Sequence, residues 1–255
     1  DARSALGWGA DLVRRIKGGG LAVAMARQGA ISLQPRPFPL PVGHVRFGDL
    51  RRVTPVDRDF GFSRGWPVDR YFVDRFIKKH AADICGHVLE VKDPSYTVRY
   101  GGARVERADV LDIAADNPMA TFVADLSDGA GIPDDTFDCV VLTQTLHLVY
   151  NVRGAIATIR RILKPGGVLL ATAPGISKVE PNCPWYWSFT AASARLLFQE
   201  AFPAAAVHVE AHGNVLAATA FLQGLAVTEL TTAELDADDA EFPVSVCIRA
   251  VKPAV

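Results

Sequence analysis

The sequence predicts an α/β fold in which helices cover both faces of a doubly wound, mostly parallel sheet. Short apolar runs alternate with segments of helical spacing from residue 66 onward. Apolar residues make up 49% of the chain and charged residues 22%, a balance that supplies a sizeable core. The length of 255 residues suits one such domain, since single α/β domains reach roughly 250 residues. We therefore expect one ligand site, at the carboxyl ends of the parallel strands.

Residues 1–65 differ in pattern from the rest and are expected to form an N-terminal extension or cap. The segment from Leu6 to Arg27 permits one or two helices, interrupted by glycines at 18–20, and the prolines of residues 34–43 exclude regular structure. Pro67 then suits a first helical turn. The apolar residues that follow it fall near one helix face: Val68, Tyr71, Phe72, Phe76 and Ile77. The sequence thus predicts a second region, the folded domain, over residues 66–255.

Strand and helix signals alternate through this domain in βαβ order. Strands are predicted over residues 87–91, 104–111, 120–126, 137–146, 168–174, 207–212 and 242–251. Helices are predicted over residues 153–163, which Lys164-Pro165-Gly166-Gly167 end, and over residues 190–202, where Thr190 is a candidate N-cap. This alternation is typical of a largely parallel sheet.

Charge and composition argue against several classes of partner. The net charge of −1 gives no broad basic face for a phosphate backbone, so nucleic acid is not expected as a partner. No run of about 18 apolar residues predicts a membrane span, and the first 20 residues lack a signal-peptide pattern, which favours a cytoplasmic protein. The four cysteines are widely spaced without metal-binding spacing, so we expect neither a metal site nor a disulfide framework.

Residues 137–173, FDCVVLTQTLHLVYNVRGAIATIRRILKPGGVLLATA, resemble the fourth strand, the next helix and the fifth strand of class I S-adenosylmethionine-dependent methyltransferases of the type 11 kind. The resemblance extends over about 190 residues, from Trp66 to the C-terminus, and includes the LKPGG turn at 163–167. It implies a Rossmann-like, seven-stranded sheet. It also implies S-adenosylmethionine as the cofactor and S-adenosylhomocysteine as its product.

The same resemblance assigns cofactor contacts to acids at successive strand ends. Glu90 would stand beneath the first loop, and Asp109, followed by Val110, would end the second strand and accept from the ribose hydroxyls. Asp112 is the rival of Asp109, because a shift of the strand by one residue exchanges the face on which each lies. A solvated turn carboxylate is the alternative for each acid.

Further contacts are implied for the adenine and the methionine portions. Asp125 would face the adenine amino group, and Leu126 would offer its backbone N–H. The backbone around Thr143 and Gln144 would approach the methionine portion. Arg70 would pair with the methionine carboxylate, unless it pairs with a neighbouring Asp at the surface.

The first loop departs from the family pattern, which has glycines spaced as GxGxG after the acid of the first strand. Lys92, Pro94 and Tyr96 occupy the three glycine positions. Either the loop takes a wider path, with side chains such as Asp93, Tyr96 or Arg99 contacting the cofactor, or the site serves a different ligand. Lys92 is an unusual neighbour for a sulfonium.

His147 and three aromatic residues are the candidates for catalysis and acceptor binding. His147 follows the fourth strand and is the candidate general base, since histidine titrates near neutrality; the alternative is a helix-start histidine bonded to backbone. The aromatic residues Trp185, Tyr186 and Trp187 follow the fifth strand, where they either line the acceptor site or pack under the cap.

The resemblance favours a methyltransferase acting on a small molecule, by analogy at an oxygen of a sugar or a natural-product scaffold. The expected partners are this small-molecule acceptor and a second copy of the chain in a homodimer. The altered first loop favours a different possibility, a non-methylating descendant such as a cyclase or a scaffold partner. A nicotinamide dehydrogenase is disfavoured because no GxGxxG follows the first strand.

Overall fold

A computed structural model describes residue 40, residues 42–181 and residues 183–254. Its seven strands form one sheet in the order β3-β2-β1-β4-β5-β7-β6. The strands are β1 Gly86–Val91, β2 Val105–Asp112, β3 Phe122–Val123, β4 Phe137–Thr143, β5 Leu163–Pro174, β6 Val207–His212 and β7 Ser245–Val251. Strands β1 to β5 pair in parallel, and β7 runs antiparallel to both of its neighbours. This confirms the predicted doubly wound, mostly parallel sheet.

Four of the five α-helices of the described residues begin at a side-chain cap, and the first follows Pro67 without one. They are α1 Val68–Lys79, α2 Val152–Ile162, α3 Ala191–Gln199, α4 Val215–Leu222 and α5 Thr232–Asp236. The side chain of Asn151 accepts from the backbone N–H of Gly154 and so begins α2, and Thr190 forms a capping box with Ser193 at the start of α3. A π-helical turn, Thr97–Gly101, follows β1.

Helices cover both faces of the sheet because the strands are apolar on both sides. On one face, α2 and α3 pack with Leu89, Val140 and Leu169 in the largest core cluster. On the other face, α1 brings Phe76 and Ile77 against the alternate strand residues, such as Val88, Val141 and Leu170. This arrangement is what burial of a parallel sheet requires.

Four of the seven strands differ from the predictions by three or more residues, among them the last, which begins at Ser245 rather than at residue 242. The third strand contains only Phe122 and Val123, and the fourth ends at Thr143, because residues 146–148 form a 3₁₀ turn. The fifth begins at Leu163, so the KPGG sequence lies within it. There Gly166 has a φ of +81° and its N–H donates to the carbonyl of Lys252. Pairing with the C-terminal strand region therefore extends β5 backward through this turn.

Residues 213–244, which contain the unpredicted helices α4 and α5, lie at the carboxyl ends of the strands. They connect His212 at the end of β6 to Ser245, which pairs with Pro174 at the end of β5. Segment 56–67 packs against them through hydrogen bonds such as Val227 N–H to the carbonyl of Trp66. We call residues 56–67, 175–189 and 213–244 the cap.

Contacts among aromatic and charged side chains join the three parts of the cap. The rings of Phe60 and Phe221 lie 6.1 Å apart, and the ammonium of Lys178 lies 4.1 Å from the centre of the Phe60 ring. Residues 1–39, where the first half of the predicted extension falls, lie outside the described residues. The boundary near residue 65 therefore stays a prediction. In the part of the chain that the structure describes, no helix is both long and apolar enough to span a bilayer.

Candidate functional site

The central strands β1 and β4 are adjacent, and the strand order reverses between them. Glu90 pairs with Val141, a register that brings Lys92 and Thr143 to the same level of the sheet. Two residues just beyond the strands adopt the left-handed conformation, Lys92 with φ +77° and Gln144 with φ +47°. Non-glycine residues with positive φ are uncommon and cluster at ligand sites, and ligands of such sheets bind where the strand order reverses. The candidate site lies here.

The first loop keeps a glycine-like backbone without glycine. The N–H of Lys92 donates to the carbonyl of Leu111 at 2.8 Å, and its carbonyl accepts from the side-chain amide of Asn117 at 2.8 Å. These two bonds hold the left-handed turn between β1 and β2. The Lys92 side chain is exposed. Burial raises the pKa of Cys183, and the charge of Lys92 acts in the opposite direction, which shows that Lys92 lies near the loop after β5. The structure thus places a cation where the family has a bare backbone.

Glu90 lies buried beneath this loop, at the position predicted for it. Its carboxylate accepts the backbone N–H groups of Tyr96 at 3.0 Å and Thr97 at 2.7 Å. Burial raises the pKa of Glu90 to about 7, although the hydrogen bonds from Thr97 and Tyr96 act in the opposite direction. Glu90 therefore fixes the π-helical turn to the end of β1.

Asp109 does not lie at the end of the second strand, where the sequence analysis placed it. Strand β2 continues to Asp112, and Asp109 pairs with Leu89 in the body of the sheet. Its carboxylate, in a residue only 2% exposed, contacts His87 Nε2 at 2.5 Å and Arg107 Nε at 3.0 Å. Burial raises the pKa of Asp109, but hydrogen bonds from His87, Thr121 and Arg107 bring it below its usual value. The neighbouring Val110 is buried. Asp109 is thus part of an internal ion pair.

Asp112, the alternative to Asp109 in the sequence analysis, is the acid that lies at the end of β2. Its carboxylate accepts the backbone N–H of Ala114 at 3.0 Å and the amide of Asn117 at 2.7 Å. Because Asn117 also donates to the carbonyl of Lys92, it joins Asp112 directly to the first loop. The side chain is half-buried and remains open to further donors.

Asp125 lies beyond the next strand at the same edge. The carbonyl of Asp112 accepts from Ala124 N–H at 3.0 Å, so the two acids follow neighbouring strand ends. Asp125 is exposed and one carboxylate oxygen accepts from Ser127 N–H at 2.7 Å. Leu126 buries its side chain in the core. The structure therefore brings Asp112 and Asp125 together and leaves Asp109 apart from them.

At the end of β4, hydrogen bonds to β5 and within the turn fix Thr143 and Gln144. Gln144 N–H donates to the carbonyl of Thr172 at 2.9 Å, and the hydroxyl of Thr145 donates to the carbonyl of Thr143 at 3.0 Å. The left-handed Gln144 turns the chain sharply toward residues 146–148. This turn delivers His147 to the site.

His147 is 5% exposed, and its Nδ1 has no hydrogen-bond partner among residues 42–181 and 183–254. Its ring centre lies 4.1 Å from that of Trp185, and its carbonyl accepts from Tyr186 N–H at 2.9 Å. Burial and, to a smaller extent, the charge of Arg70 lower the pKa of His147 to about 4. The imidazole is therefore neutral at pH 7 and can accept a proton or a hydrogen bond.

Arg70, in the first turn of α1, stands between the first loop and His147. Its Nε lies 3.8 Å from the carboxylate of Asp69. Burial lowers the pKa of Arg70, but the nearby Asp69, Tyr96 and Asp93 more than offset this effect. The pairing with a neighbouring Asp considered from the sequence is thus present, but Asp69 is buried, so the pair does not lie at the surface.

The aromatic residues after β5 lie beside His147. Trp185 is half-buried against the imidazole, whereas Tyr186 and Trp187 are 49% and 37% exposed. Tyr150, which the sequence analysis did not single out, is 72% exposed, and its ring centre lies 5.3 Å from that of Tyr186. The sequence offered one indication that Tyr150 lies near the site, namely its position three residues after His147 in the segment that follows β4.

Comparisons with known proteins agree with this architecture. Residues 74–171 match the family model described as a methyltransferase domain. No curated protein matches the chain. An S-adenosylmethionine-dependent methyltransferase structure from Archaeoglobus fulgidus is similar, with a TM-score of 0.50 and 12% identity over 77% of this chain and 100% of that one.

Two other solved structures are similar at lower TM-scores. The N-methyltransferase NodS from Bradyrhizobium japonicum WM9, in complex with S-adenosyl-l-homocysteine, has a TM-score of 0.45 and 12% identity over 74% of this chain and 90% of that one. The cyclase SpnF has a TM-score of 0.49 and 17% identity over 73% and 82%, respectively. At these identities the likeness concerns the fold.

Proposed function

We propose that the chain is a class I S-adenosylmethionine-dependent methyltransferase, because residues 74–171 match a methyltransferase domain and the fold agrees, and that it methylates a hydroxyl group of a small molecule, on a sugar or a natural-product scaffold. The observation that carries the proposal is that strand-end acids and a buried histidine, whose Nδ1 has no partner among the described residues, lie at the carboxyl edge of the sheet on either side of the point where the strand order reverses. The bound sulfonium supplies an electrophilic methyl group: the acceptor oxygen forms the new bond to carbon, the carbon–sulfur bond breaks with its electron pair left on sulfur, and the hydroxyl proton leaves to a base.

The acids fit the nucleoside half of this cofactor. Asp112 replaces Asp109 as the residue that accepts from the ribose hydroxyls, since only Asp112 lies at the strand end with a half-exposed carboxylate. Asp125, exposed beyond the neighbouring strand, accepts from the adenine amino group. The backbone N–H of Leu126 serves the same ring, because its side chain is held in the core.

The first loop and α1 fit the amino-acid half. Arg70 is already oriented toward the first loop by Asp69 and Tyr96, and its guanidinium pairs with the carboxylate of the methionine portion. The left-handed turns at Lys92 and Gln144 place the ends of β1 and β4 beside the expected position of the ligand. Glu90 keeps the loop in place from below.

His147 is the base of the proposed reaction. Its buried Nδ1 has no hydrogen-bond partner in the part of the chain that the structure describes, and an unpaired buried polar atom is costly unless a ligand completes it. A neutral imidazole can receive the hydroxyl proton of the acceptor as the oxygen forms its bond. Arg70 disfavours the resulting cation, so His147 acts as a weak base.

One observation favours a second function, that of a non-methylating protein of the same fold. Lys92 places an ammonium beside the expected position of a sulfonium, and like charges repel. A cyclase or a scaffold partner that uses the fold without methyl transfer would not meet this repulsion.

Calorimetric titration with S-adenosylmethionine and S-adenosylhomocysteine separates the two. We expect micromolar binding that weakens at least about tenfold in Asp112→Ala, because a charge-assisted hydrogen bond is lost. Asp128→Ala is the matched control, since Asp128 is an exposed turn acid whose one side-chain hydrogen bond among the described residues comes from Ala130 N–H. No heat with either ligand favours the non-methylating function, and undiminished binding in Asp112→Ala contradicts the assigned nucleoside site.

A further inference from the structure

Three exposed aromatic side chains, Tyr150, Tyr186 and Trp187, form a continuous surface that we call the aromatic platform. The rings of Tyr150 and Tyr186 meet edge to face with their centres 5.3 Å apart. Those of Tyr150 and Trp187 lie 6.3 Å apart at an interplanar angle of 28°. The indole N–H of Trp187 donates to the carbonyl of Val149 at 3.0 Å, which fixes the platform to the segment after β4. Large aromatic rings are thus held in an ordered, solvent-facing arrangement.

The platform adjoins the buried histidine. The backbone N–H groups of Tyr186 and Trp187 both point to the carbonyl of His147, at 2.9 and 3.4 Å. Trp185, the preceding residue of the same segment, packs on the imidazole itself. A ligand lying on the platform therefore has its edge close to the one buried ring whose Nδ1 lacks a partner among the described residues.

The composition of the two segments that carry the aromatic platform indicates what it binds. Residues 147–150 and 183–189 contain no Asp, Glu, Asn, Gln, Lys or Arg. A sugar presents several hydroxyl groups around its ring, and each needs a polar partner when it is buried. A flat hydrocarbon ring needs only apolar and π contact, which stacked or edge-to-face aromatic pairs provide.

We propose that the aromatic platform binds the methyl acceptor as a planar aromatic ring whose phenolic hydroxyl faces His147. This inference rests on the proposed function and narrows its acceptor class. A weak base removes a proton more readily from a phenol, which ionises near pH 10 as tyrosine does, than from an aliphatic alcohol. The phenolic proton passes to His147 while the oxygen forms its bond to the methyl carbon.

The test is calorimetric titration of the full chain, saturated with S-adenosylhomocysteine, with 2-naphthol and separately with methyl glucoside. We expect 2-naphthol to bind and the glucoside not to bind. Tyr150→Ala should weaken 2-naphthol binding by about fivefold, the scale of one aromatic contact. Tyr150→Phe keeps the ring, and Phe47→Ala removes an exposed ring elsewhere, so both should remain within about twofold of the wild type. At 72% exposure, Tyr150 can be replaced without loss of the fold.

Each contrary outcome overturns the inference. These are glucoside binding in place of 2-naphthol binding, no 2-naphthol binding at all, and equal 2-naphthol binding in Tyr150→Ala and the wild type. Binding of S-adenosylhomocysteine alone is measured first. If it fails while 2-naphthol still binds and responds to Tyr150→Ala, the methyltransferase function fails and the platform stands. If it succeeds and 2-naphthol does not bind, the acceptor class fails and the proposed function stands.

Discussion

The carboxylate of Glu90, at the end of β1, accepts the backbone N–H of Thr97 at 2.7 Å across a loop of six intervening residues. The same carboxylate accepts Tyr96 N–H, so one buried acid replaces the network that glycine-rich loops build from their own backbone.

Replacing Glu90 should therefore loosen the first loop. In Glu90→Gln, one of the two N–H donors faces an amide NH₂ group, and we expect the free energy of unfolding to fall by about 1–3 kcal/mol at pH 4.5, where Glu90 is protonated and no buried charge is removed with it. Urea denaturation monitored by circular dichroism measures it. Glu106→Gln, an exposed acid on β2, is the control and should leave the stability within about 0.5 kcal/mol. An equal loss in both variants would show that the bonds of Glu90 do not stabilise the loop.

The pH dependence of stability should carry the signature of His147. Its pKa is about 4 in the folded chain and near 6.5 in the unfolded chain, so the unfolded state binds the proton first as the pH falls. This group therefore removes stability between pH 6.5 and about 4. In His147→Gln this component is absent. As the pH falls through this window, the unfolding free energy of the variant should therefore rise relative to that of the wild type.

Denaturant titrations at pH 8, 6 and 4.5 check this prediction, with His208→Gln as the control because His208 is exposed on β6. If the wild type and His147→Gln lose stability in parallel from pH 8 to pH 4.5, the imidazole is not held neutral in the folded chain. Glu90 acts in the opposite sense: its raised pKa adds stability below about pH 4.5 that is lost as the pH rises to about 7.

Asp109 and Asp112 should separate stability from binding. Asp109→Ala leaves His87 and Arg107 without their shared carboxylate, so we expect the free energy of unfolding to fall by about 1–3 kcal/mol with little change in S-adenosylhomocysteine affinity. Asp112→Ala should instead lose affinity and keep most of its stability. Parallel denaturation and calorimetry measure both quantities, and a loss of affinity confined to Asp109→Ala would restore the original assignment.

The sequence predicted the strand that carries Asp109 and Asp112 but not which of the two acids lies at its end. The alternation of apolar runs predicted β1, β2 and β6 to within one residue, and for β1 and β2 the reason is that a buried parallel strand must be apolar. The sequence VERADVLD carries an acid at two positions, and only the pairing of Asp109 with Leu89 decides which of them reaches the edge.

The sequence pattern did not predict the cap or the aromatic platform. Helix α4, VLAATAFL, is apolar around its whole circumference, so no helical period distinguishes it from a strand. Tyr150 meets Trp187 only because Gln144 turns the chain and two distant loops converge. Contacts of that kind depend on tertiary structure, which local patterns do not encode.

Lys92 offers the sharpest test of how the altered loop treats its ligand. Its φ of +77° lies in a region that costs a residue with a side chain roughly 1–2 kcal/mol, and glycine avoids this cost. Glycine loses about 0.5–1 kcal/mol more conformational entropy on folding, so Lys92→Gly should stabilise the chain only slightly.

Lys92→Met keeps the bulk of the side chain and removes the charge. If the ammonium repels the sulfonium, both variants should bind S-adenosylmethionine about threefold more tightly relative to neutral S-adenosylhomocysteine. Calorimetry with both ligands at low salt gives this ratio, and Lys178→Met in the cap is the control. An unchanged ratio in both variants would mean that the Lys92 ammonium points away from the sulfonium, and the repulsion that favours a non-methylating function would disappear with it.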